Sequence, residues 1–277
     1  MMKIVPSLII GGGVAGGAVA AHLARAGREV ILIERQTGPH DKVCGEFITG
    51  EAERYLRGLN IDLAALGAVP ILATTIYTPR TAVRFELSFP TVSVSRRALD
   101  DAILREASAS GATLRRGHTV RSLHRRGERW IAELDDGSEF AAEHAFLATG
   151  KCDLRGWKRP PGRQNDLIAF KLHWRIASAQ IAALGPCVEL FLFNGGYAGI
   201  ELVESGILNL CVVVRRSHFA RLGGRWDFLL AELRAEFLRL HQVLADAQAY
   251  WDRPLVLTSI PYGFVQTDGD GPWRLGD

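Results

Sequence analysis

The stretch PSLIIGGGVAGGAVAAHLARAGREVILIERQ, residues 6–36, decides the reading of this 277-residue chain. Leu8 to Ile10 form a short apolar run of the kind that makes a buried strand. Gly11, Gly13 and Gly16 follow it in the spacing G-x-G-x-x-G. An alanine-rich helix is expected from Gly16 to Ala26, closed by Gly27 in the usual place for a C-terminal glycine. EVILIE makes the next strand, with Glu34 at its end. The whole is a βαβ unit whose parts have separate physical jobs. Gly11 permits the tight turn off the strand, Gly13 lets the backbone approach a pyrophosphate, and Gly16 lets the helix pack close to the sheet. The helix start, with Val14 and Ala15, offers unpaired N–H groups and a positive dipole end to phosphate. Glu34 stands 18 residues beyond Gly16, where a carboxylate accepts hydrogen bonds from a ribose, and Arg35 follows it. An acid at this position fits NAD or FAD and argues against NADP.

The composition agrees with a globular protein and removes other classes. The chain is 48% hydrophobic and 23% charged, ordinary for a folded domain or two. Lys+Arg number 33 against 30 Asp+Glu, a net charge of +3, which leaves no polyelectrolyte surface for nucleic acid. The runs RSLHRRGER and RRSHFARLGGR read as solvated strand ends and helix faces. Cys44, Cys152, Cys187 and Cys211 form no CxxC pair and no cluster with histidines, so a disulfide framework is not expected. IVPSLIIGGGVAGGAVAA resembles a signal peptide, but Pro6 and its central glycines spoil an apolar helix. No stable membrane insertion is expected. A reduced cytoplasmic protein is the default, and its oligomeric state is left open.

With the motif stand further stretches that carry a family resemblance. GGGVAGG…ERQ resembles the opening of the FAD-dependent aromatic hydroxylase and geranylgeranyl reductase superfamily. SRRALDDAILREASASGATL (95–114) resembles its R-x-x-L-D block, with Arg96, Leu99 and Asp100 in the matching places. HAFLATGK (144–151) resembles the strand and glycine turn, here Gly150, that return to the cofactor domain. HDKVCGEFITGEAERYL (40–56) resembles the K-x-C-G loop of geranylgeranyl-reductase-like members. GPWRLGD, ending on Asp277, resembles the start of the second FAD motif.

The resemblance implies an α/β fold. A Rossmann-like FAD/NAD(P)-binding domain would span residues 1–72, 92–155 and 264–277. An inserted antiparallel β-sheet substrate domain with a covering helix would span 73–91 and 156–263. It implies FAD as cofactor and NAD(P)H as electron donor, although Thr149-Gly150 replaces the usual Asp-Gly and puts the standard NAD(P)H interaction in doubt. It implies cofactor contacts from Arg96, Val120, Gly150 and Asp277, and approach of Cys44, Gly45 and Glu46 to the flavin ring. Cys44 has packing as its alternative role. It further implies that the flavin motif begun at Asp277 continues into a helix, so the chain reads as a truncated one.

The middle of the chain is strand-rich. RWIAELDDGSEFAAEHAFLAT alternates apolar residues about Asp135-Asp136-Gly137, a hairpin signal, and resembles a small three-stranded inserted sheet. RGWKRPPGRQND (155–166) reads as a linker. LIAFKLHWRI, VELFLFNGGYAGIELVES and ILNLCVVVRR read as an antiparallel sheet. Within it, Tyr197 and Glu201 are candidates to line a substrate pocket, with core packing as the alternative for Tyr197. Residues 225–247 carry Phe228, Leu229, Leu233, Phe237, Leu240 and Leu244 at helical spacing. The eight histidines are scattered, with no triad, no HExxH and no paired-carboxylate site.

The expected function is that of an FAD-dependent oxidoreductase, where the cofactor carries the hard chemistry. A monooxygenase acting on a hydrophobic or aromatic small molecule leads. A flavin-dependent reductase of isoprenoid double bonds is the alternative, supported by Cys44-Gly45, and a non-catalytic FAD-domain fragment is the second. A halogenase-like enzyme is disfavoured, because tryptophans such as Trp157 and Trp174 form no W-x-W-x-I-P motif.

Overall fold

A computed structural model describes residues 3–160, 162–260, 264–266, 269 and 271–276. The first part of the chain runs β1 (Lys3–Ile10), α1 (Val14–Arg25), β2 (Val30–Glu34), β3 (Phe47–Thr49), α2 (Gly50–Gly58) and β4 (Val69–Pro70). A hairpin of β5 (Ala73–Tyr77) and β6 (Ala82–Glu86) follows, then β7 (Thr91–Ser93) and α3 (Arg96–Ala109). Next come β8 (Thr113–Arg116), β9 (Val120–Arg126), β10 (Arg129–Leu134) and β11 (Glu139–Leu147). The second part has β12 (Leu167–Arg175), α4 (Ser178–Leu184), β13 (Cys187–Phe193), β14 (Gly196–Val203) and β15 (Ile207–Arg215). It continues through α5 (Arg216–Arg221), α6 (Trp226–Glu236), α7 (Leu238–Val243), β16 (Gln248–Ala249), β17 (Leu255–Leu257) and β18 (Trp273–Arg274).

The first sheet has the order β8-β2-β1-β11-β10-β9, with β18 added beside β11. β1, β2, β8 and β18 run parallel to their neighbours, and β9 to β11 continue the sheet as antiparallel strands. Alternation assigns its faces. Ile9 and Leu32 meet α1 and α3, while Leu8, Ile10, Ile31 and Ile33 meet side chains of β9 to β11. The hairpin at Asp135-Asp136-Gly137 forms as expected. It belongs to the main sheet rather than to a separate three-stranded one, because β11 is long enough to pair with β10 on one side and with β1 on the other.

The second sheet has the order β16-β12-β15-β14-β13-β5-β6, with β17 also on β12. β5 and β6 come from the first part of the chain, and β5 lies parallel to β13. One face of this sheet is sealed by α6 and α7. Phe170, Ile200, Leu210, Val212, Leu229 and Leu233 are among the side chains buried there. The helix expected over residues 225–247 is broken at Phe237, whose backbone is extended (φ −119°, ψ 100°). The break seats the Phe237 ring edge-on against Phe191, 5.3 Å between centroids. Phe228, in the first turn of α6, lies outside the core, beneath the Arg225 guanidinium at 4.3 Å. The linker at 155–166 is fastened to the first sheet, since Trp157 Nε1 donates to the Leu123 carbonyl at 2.8 Å. β3, β7 and β4 form a small third sheet. Among the described residues no helix is long and apolar enough to cross a membrane.

Candidate cofactor and substrate site

The glycine turn is dictated by close contacts. Gly11 has φ +108°, and a Cβ there would stand 2.3 Å from the Ala148 carbonyl oxygen. A Cβ on Gly16 would stand 1.9 Å from the Gly11 oxygen. No other residue fits either place without moving backbone. Helix α1 opens at Val14, with Gly13 as N-cap, no capping side chain and no acid in its first turn. The early amides of that turn, Ala15 and Gly16 included, therefore face outward as orphan donors. Gly276 lies against this turn, 3.1 Å from the Ala15 Cβ measured from its own would-be Cβ. Asp277 lies outside the described residues. Glu34, buried at the end of β2, accepts from the Gly12 amide at 2.7 Å and the Gln36 amide at 2.9 Å.

Two cations overlook Gly13. A Cβ there would meet Lys42 Nζ at 3.3 Å and Arg96 Nη2 at 3.5 Å. Both are tied to Asp100: Lys42 Nζ donates to Oδ2 at 2.7 Å and Arg96 Nε to Oδ1 at 2.8 Å. Burial would lower the proton affinity of Arg96, but Asp100 outweighs it and raises it, so the guanidinium stays charged. Two cations against one carboxylate, beside an uncapped helix N-terminus, make an anion site.

The remaining sequence candidates are spread around this centre. Arg35 is exposed after β2, and Gly150, with φ +62°, follows β11 next to Gly11's neighbour Ala148. The Val120 side chain is buried in the core among Ile33 and Leu147. Gly45 is exposed, and a Cβ there would meet nothing within 4 Å.

The second sheet presents its other face to the segment 41–46. Register places Lys171 beside Cys211, His173 beside Asn209, and Glu201 on the far side of Asn209. Tyr197 lies on this face, half-exposed rather than in the core. Glu46, with φ 57° and a side chain of 0% exposure, ends the strap. Its carboxylate accepts from Lys171 Nζ, lies 2.9 Å from His173 Nε2, and accepts from the Arg96 amide at 2.7 Å. Burial alone would raise the Glu46 carboxyl. The His173 hydrogen bond and the Lys171 charge outweigh burial and hold it below the usual range. Asp41 stands 3.7 Å from His173 Nδ1 and 3.9 Å from Lys171 Nζ, and its buried Oδ1 has no hydrogen-bond partner. Asp41, Glu46 and His173 are close enough together to hold a metal. The Lys171 ammonium on Glu46 already supplies that charge, so the trio reads as an ionic lock.

Beyond the lock, Asn209 Nδ2 donates to Glu201 Oε1 at 2.6 Å and to the Cys44 carbonyl at 3.3 Å. Burial pushes the Glu201 carboxyl up to about 8, and the nearby Glu46 charge adds to that rise against the Asn209 hydrogen bond. Burial also pushes the Cys211 thiol up to about 12, and raises Tyr197, on which Cys211 and Cys44 act as well. Tyr197, Glu201 and Cys44 are thus drawn together from separate stretches of sequence. Lys42, Asp41, Lys171, His173 and Asn209 were missed. The available signal was period two: Lys171 and His173 in LIAFKLHWR, and Asn209 in ILNLCVVVR, put polar side chains on one face of otherwise apolar strands.

The sequence profile described as FAD binding domain matches residues 4–144. The chain is 33% identical over 150 residues to a menaquinone reductase of Mycobacterium tuberculosis, covering 52% of this chain and 37% of that enzyme. It is 34% identical over 73 residues to a squalene monooxygenase of Candida glabrata, covering 26% of this chain and 15% of that one. The chain therefore spans little more than a third of the reductase it matches. Among solved structures, halogenase PltM in complex with phloroglucinol and FAD aligns with a TM-score of 0.79 at 16% identity, over 92% of this chain and 60% of that one. A flavoprotein/dehydrogenase from Cytophaga hutchinsonii aligns with a TM-score of 0.76 at 17% identity, over 91% and 66%. Likeness at these identities is likeness of fold.

Proposed function

The chain belongs to the FAD binding domain family, and on that premise we propose that it serves an FAD-dependent oxidoreductase whose substrate is a long apolar molecule of isoprenoid type. The cradle fits the cofactor. Gly13 adds no side chain of its own, the α1 amides are uncapped, Lys42 and Arg96 stand over Gly13 and supply positive charge, and Glu34 supplies a ribose acceptor. Bound FAD supplies hydride-equivalent redox chemistry. The residues of the chain bind its phosphates, orient it and shape what reaches it.

The observation that carries the substrate reading is the course of the second sheet's open face. Tyr197, Leu192, Leu190, Ile76, Val83 and Phe85 follow one another across β14, β13, β5 and β6 through paired register positions. Tyr197, Leu192, Val83 and Phe85 are 42–57% exposed, so a lane of apolar side chains stays open to a ligand. It runs toward the buried polar group of Glu201, Asn209 and Cys211. The two relatives are named for menaquinone and squalene, both isoprenoid compounds, which supports the same substrate class.

Reduction of a double bond is the reading favoured here. Glu201, at the polar end of the lane, is an acid that keeps its proton at neutral pH, and reduction consumes a proton along with a hydride. Oxygenation is the second reading, supported by the squalene monooxygenase match. The test is product analysis. The chain reconstituted with FAD and supplied with NAD(P)H is incubated with a polyprenyl quinone, and separately with a small phenol. Gain of one H₂ on the prenyl chain supports reduction, and gain of one oxygen atom replaces it with oxygenation. Turnover of the phenol alone overturns the isoprenoid reading.

A further inference from the structure

We propose that Glu46 is a positioning residue that couples the second sheet to the phosphate cradle of the first. The proposal rests on the reading of the α1 N-terminus as a phosphate site. Glu46 is the meeting point of three segments far apart in sequence. It closes the strap that carries Lys42, it accepts from the Arg96 amide at the start of α3, and it is held by Lys171 and His173 of β12. Lys42 and Arg96 are the two cations over Gly13. One buried carboxylate thus sets the backbone of both, and its own place is set from the sheet that bears the substrate lane.

Two features mark the arrangement as built. Glu46 holds a left-handed φ of 57°, which a non-glycine residue keeps only where its surroundings impose it. Lys171 and Glu46 have side chains of 0% exposure, and such a pair gives little stability over an apolar pair of the same shape. What the pair adds is geometry. A second tie runs in parallel: Ser95, the N-cap of α3, donates through its amide to Glu204 Oε2 at 2.8 Å, from the turn after β14. The end of α3 that carries Arg96 is therefore pinned to the second sheet at two points.

The test compares ADP with adenosine as ligands of the 277-residue chain, because only ADP carries the pyrophosphate. Glu46→Gln keeps the shape and removes the charge. It is expected to weaken ADP binding about tenfold, within the usual range for coupled sites, while adenosine binding stays within about twofold. Lys171→Met is expected to do the same, and the double variant to be no worse than either single one, since the two residues act as one device. Circular dichroism checks folding of each variant. Should Lys171→Met fail to fold, Glu46→Leu with Lys171→Met keeps the pair apolar and must show the same selective loss. Wild-type ADP affinity in Glu46→Gln, equal loss of ADP and adenosine, or additive losses would overturn the coupling. Failure of the wild type to prefer ADP over adenosine would overturn the coupling and the phosphate reading together.

Discussion

The two faces of the second sheet are made by alternate residues of the same strands, yet they are built for opposite ends. On one face Phe170, Leu172, Leu208, Leu210 and Val212 are buried apolar side chains, most of them packed beneath α6 and α7. On the other, Lys171, His173, Asn209 and Glu201 are as thoroughly buried, but against the strap and against one another. The first face obtains its free energy from removing carbon from water, about 1.5–3 kcal/mol for each large side chain. The second obtains little net free energy, because desolvation of its charges cancels most of their attraction. It holds a fixed arrangement of charge against the segment that carries Cys44 and Glu46. Equal burial on the two sides thus means stability on one and preorganisation on the other.

The largest effects should come from breaking each face in its own way. Lys171→Met leaves Glu46 buried without its cation and is expected to cost about 3–5 kcal/mol, while adding Glu46→Leu restores much of it; urea denaturation of both variants measures this. Phe191→Ala, on the core face between Tyr77 and Phe237, is expected to cost about 3–5 kcal/mol as well, with no rescue from any single partner change. If the Lys171 loss proved irreparable by an apolar pair, the contrast between the faces would fail.

A pH titration sharpens the comparison. The Glu201 carboxyl is raised from its ordinary 4.5 to about 8 in the fold. Between those values the folded chain holds more protons than the unfolded one, so stability falls as pH rises through the window and levels off above it. Glu201→Gln removes that slope. Its advantage over wild type should grow to a few kcal/mol across the window, at about 1.4 kcal/mol per pH unit. Parallel curves for the two proteins would mean that Glu201 is ionised when buried. The smallest effect belongs to the exposed lane: Leu192→Ser should change stability by less than about 0.5 kcal/mol yet weaken binding of a prenyl ligand, read by quenching of tryptophan fluorescence.

The cofactor half was legible because its chemistry is local. Gly11, Gly13, Gly16 and Glu34 lie within one βαβ unit, where spacing alone brings them together. The lock was not legible, since Glu46 meets Lys171 and His173 across 125 and 127 residues, and no short-range pattern records a partner so distant. Polar residues at alternate positions of β12 announced that one face of the strand was unusual, without saying what it faced. The break at Phe237 was equally hidden, as residues 225–247 contain neither proline nor an internal glycine to announce it.

The parallel pairing of β5 with β13 has a consequence for synthesis. β5 and β6 leave the ribosome as an isolated hairpin, and β13 follows only after roughly 100 further residues, a wait of about 5–20 s at ordinary translation rates. Through that interval Val83, Phe85 and the unpaired edge of β5 stay open to any other strand in the cell. The nascent chain therefore passes through a stage that invites chaperone capture, and slower decoding between codons 77 and 187 should lower the yield of folded protein.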